Sequence, residues 1–221
     1  MKTNFESFCE KAEIPFNEVN DIDLIPLKEN FKADLFSYEV PVLSPDGSCS
    51  ANKGLADEPY DLREILNIRT NEDEARIKPK LVKLYSIING VQQELKADWI
   101  GIYQVAKKTN DIDVLVKLAY QGSPSRAEFP LTPEFAQLSN NSTVGISGKG
   151  IVINNISEHE GAYYVCDSEV NSEVCLPIYN HDLSEVIGIV DAESFKVDHF
   201  SDRNIALVAK LCFQLSDYLP L

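Results

Sequence analysis

Two cysteines, Cys166 and Cys175, bracket an acidic segment in YYVCDSEVNSEVCLPIY (residues 163–179), and two further acids, Asp191 and Glu193, alternate with Val190 and Ala192 in the apolar run VIGIVDAES. The thiolate is the reactive form of cysteine, and neighbouring carboxylates raise the pKa at which it forms. Either these cysteines are inert, or the acids around them have a task of their own. Carboxylates sharing one face of a strand need a cation or a proton to coexist once buried; the alternative is that the strand acids are solvated. Upstream, WIGIYQV (99–105) alternates as a strand and puts Trp99, Gly101 and Tyr103 on one face. They read as core aromatics or as a pocket wall in which Gly101 leaves room for a ligand.

The elements that hold these residues follow from periodicity. Leu81, Leu84, Tyr85, Ile88, Val91 and Leu95 recur at helical spacing, which with Pro79 in a first turn predicts an amphipathic helix from Lys78 to near Ala97. WIGIYQV and VLVKLAY (114–120) flank the polar KKTND and predict a hairpin. GIVINNI (150–156), EVCLPIY (173–179) and VIGIVDAES (186–194) give three more strands, the last two joined by NHDLSE. Ser201 caps a closing helix with Ile205, Val208, Leu211, Cys212 and Leu215 facing inward. The stretch from Gln121 to Gly148 and the loop Ser157–Asn171 read as irregular and long enough to close a ligand cleft. GISGKG (145–150) lacks the spacing of a phosphate-binding loop and reads as a turn into a strand. Residues 1–77, broken by prolines and carrying the exposed turn SPDGSCSANKG with Cys49, form an N-terminal extension, and 78–221 form the domain. The order predicts an α+β fold: an antiparallel sheet with helices on one face and a ligand cleft on the other.

Composition narrows the partners. A formal net charge of −15 over 221 residues repels phosphate backbones and anionic lipid, which counts against nucleic acid and membranes. The N-terminus has no secretory-signal pattern, and no apolar run has the roughly 20 residues of a membrane span. Five cysteines at 9, 49, 166, 175 and 212 do not form a secreted disulfide framework, so a reducing cytoplasm is expected. With no Cys-x-x-Cys and three histidines, His159, His181 and His199, neither a metal nor another cofactor is expected. His159 reads as an exposed loop residue, and Cys9 and Cys212 as packing residues.

Residues 78–216 resemble a GAF domain, and more narrowly the free methionine-(R)-sulfoxide reductases. The resemblance rests on ADWIGIYQV (97–105), AYQGSP (119–124), VCDSEVNSEVCLPI (165–178) and VIGIVDAESFKVDHFSDRN (186–204), in matching order and approximate spacing. It implies a GAF-like fold and a free amino-acid-like ligand. Cys166 is similar to the family's attacking thiol and Glu173 to the acid of its Asn-Ser-Glu motif. Asp191 and Glu193 match two aspartates that hold the substrate's ammonium, and Trp99 and Tyr103 match the aromatic wall. The resemblance also implies a homodimer. Two departures stand out. Where the family carries two upstream cysteines this chain has Arg126 and a residue within Asn141–Val144, and Glu193 replaces an aspartate.

A thiolate that attacks a sulfoxide needs an acid for the departing oxygen and is left as a sulfenic acid, which a second thiol must then condense with. Cys166 and Glu173 match the first half. For the second, Cys175, Cys49 and an external thiol reductant are the candidates; strand parity puts Cys175 on the same side as Glu173, although Cys175 also reads as core and Cys49 as an incidental exposed thiol. Two functions follow: reduction of free methionine-(R)-sulfoxide, or a non-catalytic amino-acid-binding or sensor module that has lost turnover.

Overall fold

The computed structural model describes residues 4–19, 34–43, 54–108, 111–160 and 167–221. Its centre is a six-stranded antiparallel sheet built from β3 (Trp99–Lys107), β4 (Asp113–Gln121), β5 (Glu128–Pro130), β6 (Ile151–Ile153), β7 (Ser172–Tyr179) and β8 (Val186–Ser194), in the order β5-β4-β3-β8-β7-β6. The predicted hairpins β3–β4 and β7–β8 are present, and the two hairpins meet where β3 pairs with β8. The chain thereby brings residues 99–103 beside residues 189–193.

One face packs on two helices, α3 (Asn71–Leu95) and α6 (Asp202–Leu215). Ile100, Ile102, Val174, Leu176, Val190 and Ala192 meet Leu84, Ile88 and Val91 of α3 and Val208 and Leu211 of α6 in the main core. Period-two apolar residues on the strands and period-3.6 residues on the helices bury each other, the expected solution for a one-sided sheet. Ser201 caps α6 by accepting from the Asn204 amide, as its position predicts. Helix α3 begins seven residues before the predicted Lys78. Thr70 and Asp73 close a reciprocal capping box there, and Pro79 lies inside the helix instead of opening it. The capping signal was carried by polar residues, to which apolar spacing is blind.

The region before α3 contributes short elements: α1 (Asn4–Lys11), a two-residue ladder of β1 (Ser37–Tyr38) with β2 (Tyr60–Asp61), and α2 (Leu62–Ile65). Phe5 and Phe8 of α1 pack on Phe213 of α6, and Phe36, Tyr38 and Leu62 join the main core. Tyr38 donates from its hydroxyl to the Lys117 carbonyl at 2.7 Å, and Tyr60 to Glu128 at 2.5 Å, fixing this arm on β4 and β5. Beyond β1 the arm makes a small ladder, Val42 N–H to Gly54 C=O at 3.0 Å and Ala56 N–H to Val40 C=O at 2.9 Å.

The second sheet face is lined by Trp99, Tyr103, Leu115, Phe129, Cys175 and Ile189 together with Val144. The stretch 121–148, expected to be irregular, instead contains β5 and two short helices, α4 (Pro133–Ala136) and α5 (Asn140–Ser147). Ser142 and Thr143 tie α5 down by donating to the carbonyls of Pro130 and Ala136. GISGKG supplies the end of α5, which Gly148 closes in the left-handed conformation at φ 71°.

Gly101 does not leave room for a ligand. The indole of Trp99 folds back over it, and a Cβ at residue 101 would collide with that ring. Gly122, at φ 118°, allows the same indole to approach from β4. The ring stacks on Tyr120, with 6.3 Å between centroids, and donates through Nε1 to the Ser123 carbonyl at 3.0 Å. Gly101→Ala should therefore displace the ring and cost roughly 1–3 kcal/mol. Trp99 is the chain's only tryptophan, so urea unfolding followed by its fluorescence gives both the loss and a changed native spectrum; an unchanged midpoint and spectrum would contradict this packing.

Candidate functional site

The pairing register stacks the predicted acids in two rows across the second face. Trp99 lies opposite Glu193, and Glu193 opposite Glu173, while Gly101 lies opposite Asp191, and Asp191 opposite Cys175. Residues separated by two on one strand share a face, so three carboxylates from β7 and β8 converge beside the Trp99 ring. Like charges directly across a ladder destabilise it, and burial adds to the penalty. Asp191 is only 3% exposed and Glu173 likewise. Burial first, then Glu173 and Glu193, push the Asp191 carboxyl well above the ordinary carboxylate range.

Two amides from the start of α5 face this cluster. Asn141 donates from Nδ2 to Asp191 Oδ2 at 3.1 Å, and Asn140 donates to the two Glu173 oxygens at 3.3 and 3.2 Å. Ser139 caps the helix by accepting from the Ser142 amide, so the acids also meet the positive end of its dipole. Asp191 Oδ1 has no hydrogen-bond partner among the described residues. The carboxylates, Asn140, Trp99, Tyr103 and Phe129 surround a cavity of about 30 Å³, enough for a water or two.

A second cavity of about 320 Å³ shares Trp99, Ser125 and Glu193 with the first; its outer wall is Pro41 and Leu55 of the N-terminal arm, with Asp98, Asp167 and Phe195 on the other sides. Ser125 is held in place from behind. The completely buried Lys117 donates to its carbonyl at 2.8 Å and its hydroxyl at 2.7 Å, with the ammonium 4.1 Å from the centre of the Tyr120 ring and 5.8 Å from that of Trp99.

The thiols divide differently. Cys166 and Cys49 lie outside the described residues. Cys175 shares the face of Glu173, as parity predicts, but is completely buried in the apolar cluster with Val144 and Ile189, and is not among the residues lining either cavity. Burial, reinforced by Asp191 and Glu173, pushes its thiol well above the ordinary range. Cys9 and Cys212 are buried, with Cys9 pushed up to about 11 by desolvation. Arg126 lies with its guanidinium over Phe129 and Phe135 and bonds the Glu128 carbonyl. His159 is exposed at the end of a short 3-10 turn. His/Cys/Asp/Glu groupings able to hold a metal are absent among the described residues, as are helices long and apolar enough to cross a membrane. Sequence reasoning missed Asn140, Ser125 and the arm residues Pro41 and Leu55. The run Ser-Asn-Asn-Ser at 139–142 was the available signal for the first, as an N-cap followed by amide donors.

No protein-family model matches the sequence, and no curated protein matches it. Solved structures do match its fold. The type II free methionine-R-sulfoxide reductase from Thermoplasma acidophilum superposes with TM-score 0.53 at 18% identity, over 66% of this chain and 93% of that one. A free methionine-R-sulfoxide reductase from Neisseria meningitidis, solved in complex with its substrate, gives 0.50 at 20% identity, over 71% and 88%. The GAF domain region of a Geobacter sulfurreducens protein gives 0.55 at 18%, over 67% and 97%. This chain therefore has the GAF fold, with the antiparallel sheet, the helices on one face and the cleft on the other that the sequence predicted.

The buried acid makes a stability prediction. In the folded chain Asp191 keeps its proton to higher pH than in the unfolded chain, so between the two pKa values the native state binds more protons and stability falls as pH rises. Asp191→Asn removes that fall and keeps an acceptor for Asn141. It should stabilise the protein at pH 7 by about 1–3 kcal/mol, with the gain shrinking toward pH 4. Denaturant midpoints at the two pH values test this; an equal loss at both would mean that the carboxylate is paired.

Proposed function

We propose that this GAF-fold protein binds a free amino-acid-like small molecule and reduces methionine-(R)-sulfoxide through Cys166. The observation that carries the binding half is the buried, unpartnered Oδ1 of Asp191, set among Glu173 and Glu193 beside an aromatic wall. An alkylammonium offers one positive charge and three donors, which matches that set better than a neutral ligand. Asp191 and Glu193 hold the ammonium, and Trp99 with Tyr103 contact the methyl-sulfur end. The cavity must widen to admit the ligand.

In the chemical half, the Cys166 thiolate attacks the sulfoxide sulfur, the sulfur–oxygen bond breaks with a proton supplied by Glu173, and oxygen passes to the cysteine. The sulfoxide is reduced by two electrons to the thioether and Cys166 is oxidised by two to the sulfenic acid. A second thiol then condenses with it, releasing water. Asp167, the neighbour of Cys166, lines the outer cavity together with Gly54 and Leu55. Cys49 precedes Gly54 by five residues, a tether of at most roughly 18 Å. This supports Cys49, or an external thiol entering the same cavity, as the resolving group. The burial of Cys175 away from both cavities favours neither its use as a resolving thiol nor unaided turnover by the described residues, and so lends weight to the second reading, an amino-acid-binding or sensor module.

Calorimetry with methionine and its sulfoxide should show binding that Asp191→Asn combined with Glu193→Gln abolishes while the fold is retained. No heat in the unmutated protein would count against both readings. Under single-turnover conditions the protein should reduce one equivalent of sulfoxide in a burst, and Cys166→Ser should remove it. Without added reductant the oxidised protein should carry a Cys166–Cys49 disulfide, which Cys49→Ser should replace by a persisting sulfenic acid and Cys175→Ser should leave; sustained turnover requires dithiothreitol. Binding without any burst would establish the sensor reading.

A further inference from the structure

The second sheet face holds a charged residue that the proposed chemistry does not use. Lys117 lies in the apolar strand β4 and is completely buried. Its Nζ is 4.1 Å from the centre of the Tyr120 ring, 4.9 Å from that of Tyr38 and 5.8 Å from that of Trp99. Ring faces carry partial negative charge and attract a cation, so the group they enclose is an ammonium, with three hydrogens to donate and no lone pair with which to accept. A charge taken out of water costs free energy, and an apolar side chain of similar size would fill the same space at lower cost. Packing alone therefore does not account for this lysine.

Two of its hydrogen bonds go to Ser125, one to the carbonyl at 2.8 Å and one to Oγ at 2.7 Å. Ser125 is half-buried and lines both the inner and the outer cavity beside Trp99 and Glu193. A partner that can only donate fixes what the serine does. Oγ accepts from Lys117, so the hydroxyl hydrogen points away from the lysine, and a bond received from a cation polarises that O–H and strengthens what it gives. Neighbouring donors are already directed elsewhere: Asn140 and Asn141 to Glu173 and Asp191, and Trp99 Nε1 to the Ser123 carbonyl.

We infer that Ser125 is the donor that recognises the sulfoxide oxygen of the ligand, and that Lys117 is the residue that positions and polarises it. The inference rests on the reading in which Asp191 and Glu193 hold the ammonium and Trp99 contacts the methyl-sulfur end. A ligand placed in that way carries its sulfur-bound oxygen beside the Trp99 ring, where Ser125 stands. Methionine has no such oxygen, and its thioether is a weak acceptor. Ser125 thus determines which oxidation state of the ligand is preferred, and the N-terminal arm takes part through the Tyr38 ring that closes the cage around Lys117.

Calorimetric titrations of the full chain with methionine-(R)-sulfoxide and with methionine test this. The unmutated protein should prefer the sulfoxide. Ser125→Ala should weaken sulfoxide binding about tenfold, the worth of one hydrogen bond from a polarised donor, and leave methionine within about twofold. Ser125→Thr keeps the hydroxyl and should keep the preference. Lys117→Met retains most of the volume and removes the donor behind the serine; it should weaken the sulfoxide in the same direction and again spare methionine. The Ser125 variants alter one half-buried side chain by an oxygen or a methyl group, and they decide the matter even if Lys117→Met unfolds. Equal loss of both ligands in Ser125→Ala overturns the inference, because the serine would then only shape the cavity, and so does an unchanged preference. A Lys117→Met protein that binds both ligands as the parent does overturns the part given to the lysine. These failures leave the ammonium receptor standing, since methionine carries the same ammonium. If neither ligand binds the unmutated protein, the receptor reading itself is wrong and the inference falls with it.

Discussion

Three carboxylates on adjacent strands cannot all be charged in the dry face of a sheet unless something positive is supplied. That constraint organises much of what surrounds it. The register puts Glu173 directly opposite Glu193, with Asp191 two residues along and almost fully buried. Two amides at the start of α5 and the positive end of that helix answer part of that charge. Among the described residues one oxygen of Asp191 is left without a hydrogen bond, where a structure built for stability alone would have used an apolar residue or a paired one. The rest of that face follows: the Trp99 indole is pressed over Gly101 and against Gly122, making a stiff wall beside the acids.

The parts of this arrangement that depend on local periodicity were legible in the sequence. Alternation in VIGIVDAES placed Asp191 and Glu193 on one face, and the polar turns announced both hairpins. What periodicity does not encode was lost. The start of α3 lay in a capping box of polar residues, and the helices α4 and α5 are too short to show a repeat. Gly101 was read as space because β parity says where a neighbouring side chain leaves the strand and not where its ring comes to rest. The prolines of the N-terminal region concealed short apolar clusters, such as Phe36, Tyr38 and Leu62, whose partners lie far along the chain on the sheet and helices.

The two halves of the proposed chemistry stand on different ground. The proposed receptor is built from described residues, whereas the proposed attacking thiol and one candidate for the second thiol fall outside them. The arm links these halves. Tyr38 and Tyr60 anchor it to β4 and β5, its small ladder carries Pro41 and Leu55 to the outer cavity, and Asp167, next to Cys166, lines the same space.

The central claim is that Asp191 awaits a cation, and its own titration is the most direct measure. With the side-chain carboxyl carbon of aspartate labelled, and the Asp191 signal assigned through Asp191→Asn, carbon NMR should show Asp191 titrating well above the usual aspartate range in the free protein, because burial and the two glutamates oppose its charge. Saturation with methionine sulfoxide should bring that pKa down below its value in the free protein, as the ammonium stabilises the charged form. An Asp191 that is already ionised at pH 5 without ligand, or whose pKa does not move when the ligand binds, would contradict the account.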